Sequence, residues 1–143
     1  MNELKSVLYT AVSTSTGGRT GTSRSNDGRL DLILSTPKAL GGDDGAGTNP
    51  EQLFSAGYAA CFIGAMKVVA GHMKLPLGDD VSVTAHVDIG PIDHGFGIAV
   101  KLEIDIPSLS SDQSVEIMKA AHKICPYSNA TRGNIDVQLT LKA

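Results

Sequence analysis

The chain of 143 residues carries two cysteines, Cys61 and Cys125, and these are the side chains with the widest choice of chemistry. A thiolate is a nucleophile and a metal ligand, whereas a thiol in apolar surroundings is inert. The two are far apart in sequence and form no Cys-x-x-Cys pair, and no histidine or cysteine stands at zinc-finger spacing, so a metal site is not expected. His72, His86, His94 and His122 fall on a helix end, a strand, a turn and a helix, and read as solvated or hydrogen-bonded structural residues.

Cys61 by itself reads equally well as a small core residue, because free cysteine packs as a hydrophobe. A reactive thiol needs a cation beside it and a carboxylate to hold that cation. Arg19, within Gly17-Gly18-Arg19-Thr20-Gly21, and Glu51, within Asn49-Pro50-Glu51-Gln52, are the candidates. Each also has a plain reading, Glu51 as a complement to a helix dipole and Arg19 as a solvated turn residue. Pro126 suits the first position of a helical turn and would place the Cys125 thiol near free backbone N–H groups that favour a thiolate. Filling the end of the preceding helix explains Cys125 as well.

The elements that must position these residues follow from pattern. Lys5 to Val12 alternates loosely and reads as a strand, and Gly21–Ser25 and Arg29–Ser35 flank Asn26-Asp27-Gly28, a hairpin signal, so the first third is expected to be a β-meander. A second loop runs from Thr36 to Thr48. Asn49, Pro50 and Glu51 then start a helix expected to reach about His72, with apolar residues on nearly every face, as in a helix surrounded by protein. Val81–Ile89 and Ile98–Ile106 alternate as antiparallel half-buried strands. Ser110 or Ser111 caps a second helix through about Ile124, and Ile135–Leu141 forms a last strand. The fold class is α+β, in a single domain over 1–143.

Composition excludes several classes. With 41% hydrophobic and 19% charged residues the chain can bury a core, and its net charge of −3, with basic residues scattered, offers no footprint for nucleic acid or an anionic membrane. Leu53–Ala70 has the length of a membrane span but is broken by Ser55, Gly57, Tyr58, Gly64 and Lys67, so a buried helix is the better reading. Met1–Val12 lacks the pattern of a signal peptide, so the expected location is cytoplasmic and reducing, where a permanent disulfide staple has little place.

Taken together, Thr36-Pro37-Lys38 through Gly42, Thr48-Asn49-Pro50-Glu51-Gln52-Leu53-Phe54, Gly57-Tyr58-Ala59-Ala60-Cys61-Phe62 and Cys125-Pro126-Tyr127-Ser128-Asn129-Ala130-Thr131-Arg132-Gly133-Asn134 resemble the organic hydroperoxide resistance (Ohr) family of the Ohr/OsmC superfamily. The resemblance spans essentially the whole chain. It implies a cofactor-free cysteine peroxidase in which Cys61 attacks the peroxide, Cys125 resolves the product as a disulfide, Arg19 lies against the thiolate and Glu51 orients Arg19.

It further implies antiparallel β-sheets wrapping a long buried central helix in an intertwined homodimer, and a dihydrolipoyl group on a protein as reductant. Phe54, Tyr58 and Phe62 are the expected walls of a dry pocket for the alkyl tail of an organic or fatty-acid hydroperoxide. Two other classes compete on the residues alone: a binding module for a small apolar ligand with inert cysteines, and a protein stapled by a structural disulfide.

Overall fold

The Asp27-Gly28 pair turns the chain between the strands Thr22–Ser25 and Asp31–Ile33, because Gly28 takes a left-handed backbone (φ 75°) and its N–H donates to the Ser25 carbonyl at 3.1 Å. The structure, a computed structural model, describes residues 1–142 and divides into two compact units, Met1–Leu53 and Phe54–Ala143.

In the first unit, β1 (Ser13–Thr16), β2 (Thr22–Ser25) and β3 (Asp31–Ile33) form an antiparallel meander in that order. Leu34 and Ser23 are its buried side chains. The strand expected over Lys5–Val12 is not formed, and Leu4, Val7, Leu8 and Tyr9 are exposed. Alternation alone does not make a strand; among the described strands no ladder includes the segment, whose Val12 carbonyl accepts from the Asn26 N–H at 3.0 Å at its very end.

Helix α1, Pro50–Met73, starts as expected: Asn49 Oδ1 accepts from the Gln52 N–H at 2.8 Å and Pro50 fills the first helical position. It is long and apolar enough to cross a membrane by length and composition, a test that the core helix of a soluble protein also passes. Its burial differs from the all-round expectation. Tyr58, Phe62, Ala65, Met66, Val69 and Ala70 form one buried stripe, while Val68 and Met73 are exposed.

In the second unit the long hairpin of β4 (Ser82–Ile92) and β5 (Gly95–Asp105) pairs antiparallel from Ser82 opposite Asp105 to Ile92 opposite Gly95. The last strand, β6 (Val137–Leu141), joins β5 in parallel, so this sheet is mixed rather than antiparallel throughout. A parallel return needs a long crossover. Helix α2 (Ser111–Ile124) and the short helix α3 (Pro126–Thr131) supply it.

A reciprocal capping box between Ser110 and Gln113 starts α2, which buries Ser114, Ile117 and Ala121 on one face. Ile117 and Ala121 meet Val100, Leu102 and Ile104 of β5 and the buried stripe of α1 in one core cluster that also contains Cys125. This is the wall that closes one side of α1.

Leu102 has no exposed surface. Leu102→Ala should therefore lower unfolding stability by about 2 to 5 kcal/mol through lost transfer energy and the cavity left behind. A denaturant titration measures this, and an unchanged midpoint would contradict the core described.

Candidate active site

Arg19 stands on a single 3-10 turn, Gly18–Thr20, entered through Gly17 and Gly18 at φ 73° and 59°, a left-handed conformation that side chains with a Cβ resist. The two glycines let the chain reverse so that the guanidinium meets Glu51 in the first turn of α1. Arg19 Nη1 donates to Glu51 Oε2 at 2.9 Å and Nη2 to Oε1 at 2.6 Å, a two-pronged pair between residues 32 apart in sequence. The planar fork matches both carboxylate oxygens at once. The hydrogen bonds from Arg19 hold the Glu51 carboxyl below its ordinary pKa, and Glu51 in turn keeps the guanidinium charged.

Within the second unit Cys61 and Cys125 come together. Cys61 is partly buried in the middle of α1, Cys125 is fully buried between α2 and α3, and both are free thiols. The two thiols are near enough for each to affect the other's ionisation. Cys125 is the N-cap of α3 and Pro126 its first residue, as the Cys-Pro step suggests. The free N–H that this turn offers acts on the other cysteine: that of Tyr127 favours the Cys61 thiolate. Burial pushes the Cys61 thiol above its ordinary pKa, the Tyr127 N–H pulls the other way, and the adjoining Cys125 adds to the rise.

Aromatic packing surrounds this pair. Phe54 stands edge-on to Tyr58 (centroids 6.1 Å apart), and the Tyr127 ring lies 5.7 Å from Phe54 and 5.6 Å from Tyr58. Gly57 makes room for it: a Cβ there would come within 2.8 Å of Tyr127 Oη. Of the three expected pocket residues, Phe54 lines a cavity of about 460 Å³ walled also by Tyr127, Ile98 and Ile135. Tyr58 and Phe62 are fully buried and belong to the core instead. They point along the stripe that α1 turns toward β5 and α2, and Tyr58 spends its hydroxyl on Ser128.

Residues 41–140 match the model of the family described as OsmC-like protein. The chain is 59% identical over 135 residues to the organic hydroperoxide resistance protein of Xanthomonas axonopodis pv. citri, covering 94% of this chain and 95% of that one. It belongs to the organic hydroperoxide resistance family of OsmC-like proteins. Among solved members of this Ohr family, that of Legionella pneumophila superposes with a TM-score of 0.90 at 44% identity over 96% of this chain and 100% of its own. OhrB of Bacillus subtilis does so with 0.86, also at 44%, over 95% and 100%.

Three contributors in this Ohr-family chain were not singled out as site residues in the sequence: the Tyr127 N–H, Ser128 and His122. The Cys-Pro step signalled free N–H groups but not their target. Among the described residues no group of three His, Cys, Asp or Glu side chains could hold a metal ion.

Arg19→Ala should raise the Glu51 pKa toward the ordinary carboxylate value, followed by NMR titration of the side-chain carbonyl. Because the pair depresses the folded-state pKa, its contribution to stability is present above the unfolded value of about 4.3 and fades as pH falls through the folded one. An unchanged Glu51 titration would show that the pair does not form in solution.

Proposed function

We propose that the chain is a thiol peroxidase that reduces organic hydroperoxides to alcohols through a Cys61 sulfenic acid and a Cys61–Cys125 disulfide. The observation that carries this is the meeting of two free thiols, distant in sequence, inside one unit and near enough to interact, beside a backbone N–H that favours the Cys61 thiolate. Membership of the Ohr family supports the broader role, resistance to organic hydroperoxides.

In the reaction the Cys61 thiolate attacks the distal peroxide oxygen, the O–O bond breaks, and the alkoxide takes a proton and leaves as the alcohol. Cys61 is then a sulfenic acid. The Cys125 thiol attacks its sulfur, water departs with the sulfenic oxygen, and a disulfide remains that a dithiol reductant returns to two thiols. Closure competes with a second peroxide, which would drive Cys61 to sulfinic acid.

Burial and Cys125 both favour the protonated Cys61, so this chemistry needs a cation that outweighs them. The reading assigns that part to Arg19, with Glu51 as the group that fixes its orientation. A guanidinium would also stabilise charge developing on the departing alkoxide. The cavity beside Phe54 and Tyr127 is apolar enough to take an alkyl tail, which supports organic over hydrogen peroxide as substrate.

The same reading makes the chain a cytoplasmic homodimer recycled by a dihydrolipoyl group carried on a protein. The dimer is supported by the exposed Val68 and Met73 on α1 and by the exposed Leu8, Tyr9, Ile92 and Phe96. Light scattering at micromolar concentration should give twice the mass of 14.8 kDa, and a monomeric mass would remove this part of the reading.

Cys61→Ser should abolish peroxide turnover. Cys125→Ser should consume about one cumene hydroperoxide per site and gain one oxygen in intact mass, then two or three with excess, while the native chain should lose two hydrogens. Retention of the fast reaction by Cys61→Ser and its loss in Cys125→Ser would reverse the two roles. No consumption by the native chain would favour a binding module instead.

A further inference from the structure

Ser128 has no exposed surface, and its one hydroxyl is shared between two elements besides its own. Its Oγ lies 2.9 Å from Tyr58 Oη on α1 and 2.9 Å from His122 Nδ1 on α2. Thr131 Oγ1 donates to the Tyr127 carbonyl at 2.8 Å and receives Tyr58 Oη as a more distant neighbour at 3.4 Å. With His122 neutral and its proton on Nε2, Ser128 donates to Nδ1, Tyr58 donates to Ser128, and every hydroxyl is satisfied. A buried polar chain of this kind is costly to interrupt at any one member.

The position of this chain relative to the sulfurs gives it a consequence. His122 and Ser128 stand three residues before and three after Cys125, and Tyr58 stands one helical turn before Cys61. Arg132 strengthens the enclosure by donating through Nη2 to the His122 carbonyl and through Nη1 to Asn129 Oδ1 at 2.7 Å. The turn that carries Cys125 and the Tyr127 N–H is thus tied by one hydroxyl, that of Ser128, both to His122 before it and to Tyr58 on the helix of Cys61. Burial and the charge of Arg132 hold the His122 pKa below its ordinary value, which keeps Nδ1 available as an acceptor at neutral pH.

We propose that Ser128, with Tyr58 and His122, is a positioning residue that sets the approach of Cys125 to Cys61 and so the ease with which the two form and open a disulfide. The proposal rests on Cys61 and Cys125 being an exchanging pair, and it deepens that reading by naming what aligns them. None of the three side chains takes part in the exchange; each acts through the placement of the turn.

The test uses redox buffers and no peroxide. Native full-length chain, Ser128→Ala and Tyr58→Phe are equilibrated with oxidised and reduced glutathione, quenched with acid, and read for free thiols and intact mass. In the step measured, two thiols lose two electrons and two protons to one glutathione disulfide, which leaves as two glutathione thiols. Loss of stability shared by reduced and oxidised forms cancels in this equilibrium constant, so a merely structural role does not move it.

Each variant should lower the constant for disulfide formation by about tenfold, the factor carried by one buried hydrogen bond. The double variant should fall little further than either single one, because both break the same link. Tyr58→Phe removes only an oxygen and keeps the ring, so it serves if Ser128→Ala does not fold. Constants within about twofold of native, or raised, in the variants would overturn the proposal, since the network would then not align the thiols. Should the native chain form the disulfide in this buffer yet consume no hydroperoxide, the peroxidase reading fails and the positioning role stands.

Discussion

The second unit depends on one contact, that between the turn of α1 carrying Tyr58 and Cys61 and the short helix α3 that follows Cys125. A thiol in the middle of an apolar helix has no reason to be reactive, since burial favours its protonated form. The Tyr127 N–H opposes that effect and Cys125 supplies a second thiol nearby, and both arrive on the Cys125-Pro126-Tyr127 step. The capped α2 and the parallel return to β6 hold that step in place, because β5, α2 and α1 share one core cluster.

The first unit solves a different problem. An arginine side chain is long and flexible, and orienting its guanidinium costs side-chain entropy. The bidentate pair with Glu51 accepts that cost once, on a turn whose two left-handed glycines place Arg19 without strain. Glu51 is itself held by the first turn of a helix that starts with an Asn cap and a proline, so the orientation of Arg19 rests on a rigid element rather than on the loop alone.

The division of labour among the aromatics follows from the same geometry. Tyr58 and Phe62 lie on the stripe of α1 that meets β5 and α2, so they are consumed by the core, while Phe54 faces Tyr127 and the cavity beside it. Three aromatic residues spaced along one helix look alike in a sequence. Which of them faces a cavity depends on the rotation of that helix against its neighbours, and Gly57, which admits the Tyr127 ring, fixes the contact.

Local signals in the sequence were sufficient for the β2–β3 hairpin, both helix starts, the β4–β5 hairpin and the capped α2, because each is decided by residues a few positions apart: Asp27-Gly28, Asn49-Pro50, alternation, Ser110 with Gln113. The types of the four candidate residues were legible too, and the family resemblance singled them out. Pairing between distant segments was not. The parallel joining of β6 to β5, the absence of a strand over Lys5–Val12, the one-sided burial of α1 and the Ser128 link between Tyr58 and His122 depend on which surfaces meet after the chain has folded. A hydroxyl carries no mark of its partner in sequence; only the tertiary structure, by placing three elements around one oxygen, decides that Ser128 joins the helix of Cys61 to the turn of Cys125.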